Sequence, residues 1–179
     1  MPELATGYIG AVVETNPVVR FFLRTLFTPV TYEIHHFIIG DYMPYLNDWQ
    51  VLESITSKGC SVRMLKEVKA DGKPIVFYHH IGWTPEKGEQ MKAAWWMRSA
   101  KRYDYLAILK FLWHTVRSFP YRARPWAFPY KADKSFWCTE IVEECAREAG
   151  MSLVPWDGVW PHPWSFKVSR DMGIMVKVW

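Results

Sequence analysis

The sequence predicts an α+β domain built on an antiparallel sheet, and three observations carry that prediction. Apolar runs of strand length, broken by turn residues, fill residues 31–80. From Thr84 onwards the hydrophobic period lengthens to that of helices. Strands and helices are therefore grouped along the chain rather than alternating, which argues against a parallel βαβ sheet.

Gly7 to Glu14 reads as a short strand. Asn16 as N-cap and Pro17 at the first helical position open a helix to Phe27, apolar at Val18, Phe21, Phe22 and Leu26. Three strands follow: Thr31 to Ile39 ending at Gly40-Asp41, Asp48 to Thr56 ending at Ser57-Lys58-Gly59, and Cys60 to Val68 ending at Asp71-Gly72. That spacing is the mark of an antiparallel meander, and Lys73 to His80 supplies a further strand. Thr84-Pro85-Glu86 starts a helix that Glu89 to Arg102 continues, and Asp104 to Ser118 makes another. Phe119 to Lys134, with three prolines and four basic residues, reads as an irregular connection. Ser135 is placed to cap a helix that stops at Gly150. Phe166 to Trp179 is expected to add one or two strands.

The 179 residues suit a single domain, and 50% apolar with 22% charged residues excludes a disordered chain. Aromatics reach 17%, with 11 Trp, implying a core of large rings or a surface that stacks. A net charge of +4 does not argue for nucleic acid. The three cysteines are too widely spaced for a disulfide framework or a zinc knuckle. No stretch reaches the roughly 18 apolar residues of a membrane span; Tyr105 to Val116 is interrupted by Lys110 and His114. Without a basic, then apolar N-terminus, the expectation is cytoplasmic synthesis with no signal peptide.

Cys138 is the cysteine with a chemical reason to react. A thiol in the first turn of a helix meets unpaired N–H groups and the positive dipole end, which favour its thiolate. Cys145 lies two turns deeper and Cys60 at a strand start, where both read as packing residues. His35 and His36 point to opposite faces of their strand. His36 shares its face with Tyr32, Ile34 and Ile38, all apolar in body, so it is preferred as the core-facing base, with His35 as the alternative. Glu53 stands among Trp49, Val51 and Ile55 on the next strand. A carboxylate there needs a partner, and a core-facing histidine or Arg63 would provide one. His79-His80 are adjacent on a strand and point apart, so neither a metal nor another cofactor is expected.

The order of these motifs resembles a family. A strand with His leads to Val51-Leu52-Glu53-Ser54, then to Arg63-Met64-Leu65, Tyr103-Asp104-Tyr105, and Phe136-Trp137-Cys138-Thr139-Glu140-Ile141-Val142 in a helix ending in Ala-Gly. The arrangement is similar to the circularly permuted papain-like amidases and peptidases, the YaeF/YiiX group within the NlpC superfamily. It departs from them at Ile34-His35-His36-Phe37, where a Ser or Thr usually precedes the histidine, and at Gly7-Tyr8-Ile9, where Gly-Asp is usual. The resemblance implies one permuted papain-like domain over residues 1–179, with a barrel-like sheet and a Trp/Pro-rich extension at 154–179. It implies Cys138 as nucleophile, His36 (or His35) as base and Glu53 as its orienter, with Tyr103 and Tyr105 at the substrate. The implied reaction is thiol-dependent hydrolysis of an amide, foremost in cell-wall peptides, with lipid acyl groups behind. Such folds also serve as structural parts, viral particles included, where the Trp-rich tail would be an assembly surface. The basic run Arg117, Arg122, Arg124 and Lys131 would steer an acidic substrate if it lies near the cysteine helix.

Overall fold

The meander that the turn residues predict is the centre of a six-stranded antiparallel sheet. In this computed structural model, residues 3–26, 31–56, 58–100, 102–103, 113, 135–136, 138–154 and 163–178 are described. The strands are β1 (Ile9–Val13), β2 (Glu33–Met43), β3 (Asp48–Ile55), β4 (Gly59–Met64), β5 (Ile75–His80) and, after the short parallel pair β6 (Arg102–Tyr103) and β7 (Ser135–Phe136), β8 (Met175–Lys177). They lie in the order β4-β3-β2-β1-β5-β8, every neighbouring pair antiparallel. The helices are α1 (Pro17–Leu26), α2 (Leu65–Ala70), α3 (Pro85–Arg98), α4 (Cys138–Glu148) and α5 (Pro163–Asp171).

Alternation along the strands fills both faces of the sheet. Ile9, Ala11, Ile38 and Leu52 meet Met91 and Trp95 of α3, Ile141 and Val142 of α4, and Phe166 of α5. Val12, Phe37, Ile39, Val51 and Phe77 meet Leu65 and Val68 of α2. Trp95 is 1% exposed, so its truncation to Ala costs about 3–5 kcal/mol. A sheet covered on both sides has two core-facing surfaces, which matters for the two histidines.

α3 stops at Arg98 instead of running to Arg102, which stands in β6, and four further boundaries differ from expectation, each for a local reason. β2 runs through Gly40-Asp41 and turns instead over Pro44 to Asn47, where Asn47 takes φ 48°. The strand from Cys60 stops at Met64, because the Met64 amide donates to the Glu67 carboxylate at 2.8 Å and the Lys66 amide to Asp48 Oδ2 at 3.0 Å. Those bonds satisfy a helix start, and Leu65 and Val68 bury one face of α2. Ser135 belongs to β7 rather than capping a helix, and α4 begins at Cys138. The C-terminal segment forms α5 before its one strand, β8. Gly150 ends α4 as predicted: at φ 67° it turns the chain so that its amide reaches Arg147 O and the Met151 amide reaches Ala146 O. Of the expected helix Asp104–Ser118 only Trp113 is described, in helical conformation, and the connection Phe119–Lys134 lies outside the described residues.

Candidate active site

A β-bulge decides which histidine meets Glu53. Near the hairpin, Met43 faces Asp48 and Tyr42 faces Trp49; further along, Ile39 faces Val51 and Ile38 faces Leu52. Gly40 and Asp41 therefore oppose the single residue Gln50, and the register shifts by one. Without the shift, Glu53 would fall opposite Ile38, on the face of His36. With it, Glu53 falls opposite Phe37, on the face of His35. Gly40 suits the bulge, since a Cβ there would lie 3.0 Å from Gln50 Cβ.

His35 Nε2 lies 2.7 Å from Glu53 Oε2. A carboxylate only accepts, so Nε2 carries the proton toward Glu53, and the Cys138 thiol acts on the same ring through charge and hydrogen bonding. Glu53 is fully buried and doubly held: Arg63 Nε donates to Oε1 and Nη2 to Oε2 at 3.2 Å. Arg63 lies on β4, directly opposite Val51, and also reaches Asp71 Oδ2 at 3.3 Å. Cys138 opens α4, 6% exposed, with the Thr139 hydroxyl 3.7 Å from Sγ and the His36 backbone amide bonded to the sulfur.

The charges of this group support one another. Burial alone would pull His35 down, but the thiolate of Cys138 and the Glu53 carboxylate outweigh it and raise His35 to about 10. Burial alone would push Cys138 up; the His35 cation and its hydrogen bond, the His36 amide and Thr139 prevail and hold the thiol below its ordinary range. Burial opposes Glu53 as well, and His35 with Arg63 overcome it to keep the carboxyl ionised. Cys145 has no such company, and burial pushes its thiol well up. The group can thus hold a thiolate–imidazolium pair at neutral pH.

His36, preferred from the sequence, is placed elsewhere. Its Nε2 lies 3.2 Å from Glu33 Oε2, its ring meets Phe166 edge-on at 4.8 Å, and its buried Nδ1 has no partner. Glu33 Oε1 accepts from Tyr78 OH at 2.7 Å, and Oε2 from Arg170 Nη1 at 2.5 Å. Burial, with Arg170 and His35 adding to it, lowers His36 despite Glu33, so the ring stays neutral. The pairing of Glu53 with His36 is corrected to one with His35. Strand alternation alone does not separate the two histidines, because the sheet is covered on both faces and the bulge breaks its register.

A cleft of about 400 Å³ opens over His35, lined by Val12, Ile34, Ser54, Arg63, Lys73 and Tyr103. Tyr103 is thus beside the site, whereas Tyr105 and the basic residues 117–131 lie outside the described residues. Sequence reasoning missed Glu33, Tyr78 and Arg170. Glu33 carried the same signal as Glu53, an acid in an apolar strand; Arg170 lies 137 positions from its partner and carried none.

A scan of protein-family models gives no match, and neither does a search of the curated proteins. The class of structure is nevertheless clear: an α+β fold with a six-stranded antiparallel sheet between helices. Among solved structures this fold is shared with the crystal structure of the metalloprotein YiiX from Escherichia coli O157:H7, DUF1105. The two superpose with a TM-score of 0.64 at 14% identity, over 98% of this chain and 96% of that one.

Proposed function

We propose that the chain is a cysteine-dependent acyl hydrolase of the permuted papain-like type, with Cys138 as nucleophile, His35 as acid and base, and Glu53 as orienter. The observation that supports it most is the His35 ring, held by Glu53 at 2.7 Å on one side and bonded to the Cys138 thiol on the other. The Cys138 thiolate attacks the substrate carbonyl carbon; a C–S bond forms and the carbonyl π pair moves to oxygen. Backbone N–H groups at the start of α4 stabilise that oxyanion. As the tetrahedral species collapses, the C–N bond breaks and His35 passes its Nδ1 proton to the leaving amine. Water, deprotonated by His35, then attacks the thioester, the C–S bond breaks, and the acid leaves with the thiolate restored. Glu53 holds the productive tautomer throughout.

The YiiX structure is that of a metalloprotein, but the donors around Glu53 do not fit a metal. Among the described residues no group of three or more His, Cys, Asp and Glu could hold one. Both Glu53 oxygens already face donors, and the guanidinium on them repels a cation. Cell-wall peptides are the leading substrate class by resemblance. Incubation with purified peptidoglycan and mass analysis of the products tests this: released peptide fragments that disappear with Cys138→Ala support it. Intact substrate with the unaltered protein overturns the substrate, and equal release by Cys138→Ala overturns the nucleophile.

A further inference from the structure

α1 is a well-formed helix that presents its apolar face to solvent. Asn16 Oδ1 caps it, accepting from Val18 N at 2.9 Å and Val19 N at 3.3 Å. Yet Val18 is 61% exposed, Phe21 65% and Phe22 55%, and the two phenyl rings meet edge to face. At helical spacing Phe21, Val18, Phe22 and Val19 form one broad apolar arc, while Arg20 and Arg24 lie together on the opposite edge. The helix contains no acidic residue. Arg20 stacks over the Tyr32 ring at 4.0 Å, which ties the basic edge to the body and turns the apolar arc outward. An exposed patch of this kind marks an interaction surface.

Its position is informative. α1 follows β1 just beyond Val12, which pairs with His35, and precedes β2 in the chain. Glu14 joins the helix start to the cleft: Oε1 accepts the Thr15 and Asn16 amides at 2.9 Å, and Oε2 accepts Lys73 Nζ at 2.7 Å, a cleft-lining residue. We propose that α1 docks the protein onto an anionic lipid surface, with Phe21, Phe22 and Val18 entering the acyl boundary and the arginines at headgroup level. Charge complementarity favours this occupant: a convex apolar ridge edged only by arginines, on a chain of net charge +4, matches an anionic bilayer's apolar interior and negative surface. Docking goes beyond the hydrolase reading and does not depend on it.

The test is co-sedimentation of the full chain with vesicles of phosphatidylcholine alone or with about a third phosphatidylglycerol, at low and high salt. The expected result is sedimentation with the anionic vesicles, weakened by salt. Phe21→Ser with Phe22→Ser should weaken it by roughly tenfold or more through lost insertion, and Arg24→Gln by about fivefold through lost headgroup attraction. Neither variant should move the melting temperature beyond a few degrees, nor the alkylation rate of Cys138, so a fault in the hydrolase reading shows separately. No sedimentation of the parent, or equal sedimentation of the double variant, overturns the proposal. So does a parent dimer in size-exclusion chromatography that the double variant converts to monomer, since a second copy would then cover the helix.

Discussion

His35 and His36 are neighbours in one strand, and each is backed by a glutamate that is in turn held by an arginine. His35 leads to Glu53 and Arg63; His36 leads to Glu33 and Arg170. The two assemblies use the same residue types and differ in setting. The first has a thiol interacting with the imidazole and a cleft above it, so its histidine is charged and reachable. The second is sealed by Phe166 and Tyr78, so its histidine is neutral and its other nitrogen idle. A His–Glu pair is therefore no sign of chemistry in itself; what lies at the second ring nitrogen decides.

Breaking the first assembly should cost most. His35→Ala removes both the proton carrier and the cation that supports the thiolate, and turnover should fall on the order of 10²-fold or more. Glu53→Gln keeps the volume but loses the charge, and should lower turnover by roughly tenfold. Because Glu53 also neutralises Arg63, that variant should in addition lose about 1–3 kcal/mol in denaturant unfolding. A structural role and the proposed catalytic one would thus meet in one residue, and melting temperature with turnover on one preparation reads both.

Gly40→Val tests the bulge that assigns Glu53 to His35. Its branched side chain would press on Gln50 and Leu52, so a loss of about 1–3 kcal/mol with a several-fold drop in turnover is expected. Least affected in activity should be His36→Ala. It leaves a cavity and an unpaired Glu33 contact, costing about 2–4 kcal/mol. The backbone amide on the Cys138 sulfur survives the substitution, so folded molecules should keep turnover within a few-fold. Should His36→Ala abolish turnover while His35→Ala spares it, the contrast between the two assemblies would be reversed.

Much of the fold is legible in the sequence. Turn residues placed the meander, and the period change placed α3 and the cysteine helix. The candidates Cys138, His35 or His36, and Glu53 followed from residue types that a strand or helix start tolerates only with a partner. The choice between the histidines was not readable, because a one-residue bulge flips every side chain beyond it and leaves only the weak trace of Gly40. α2 was hidden for a related reason: Leu65 and Val68 fit the end of a strand until Asp48, from another strand, satisfies the Lys66 amide. Arg170 and Tyr78 join Glu33 only through tertiary contact, which no local pattern encodes.

The central claim is the thiolate–imidazolium pair of Cys138 and His35, and the pH dependence of iodoacetamide labelling tests it most directly, with Cys60, Cys138 and Cys145 followed separately by mass spectrometry. Since Cys138 is held below the ordinary thiol range, its labelling should reach its plateau at lower pH than an ordinary thiol's. It should fall only on the acid side, as the thiolate gains its proton, while any turnover declines again near pH 10 as His35 loses its own. In His35→Ala the Cys138 rise should move to the ordinary thiol range, near pH ~8.5 or above. A Cys138 in the unaltered protein that labels only through that same alkaline range would contradict the account.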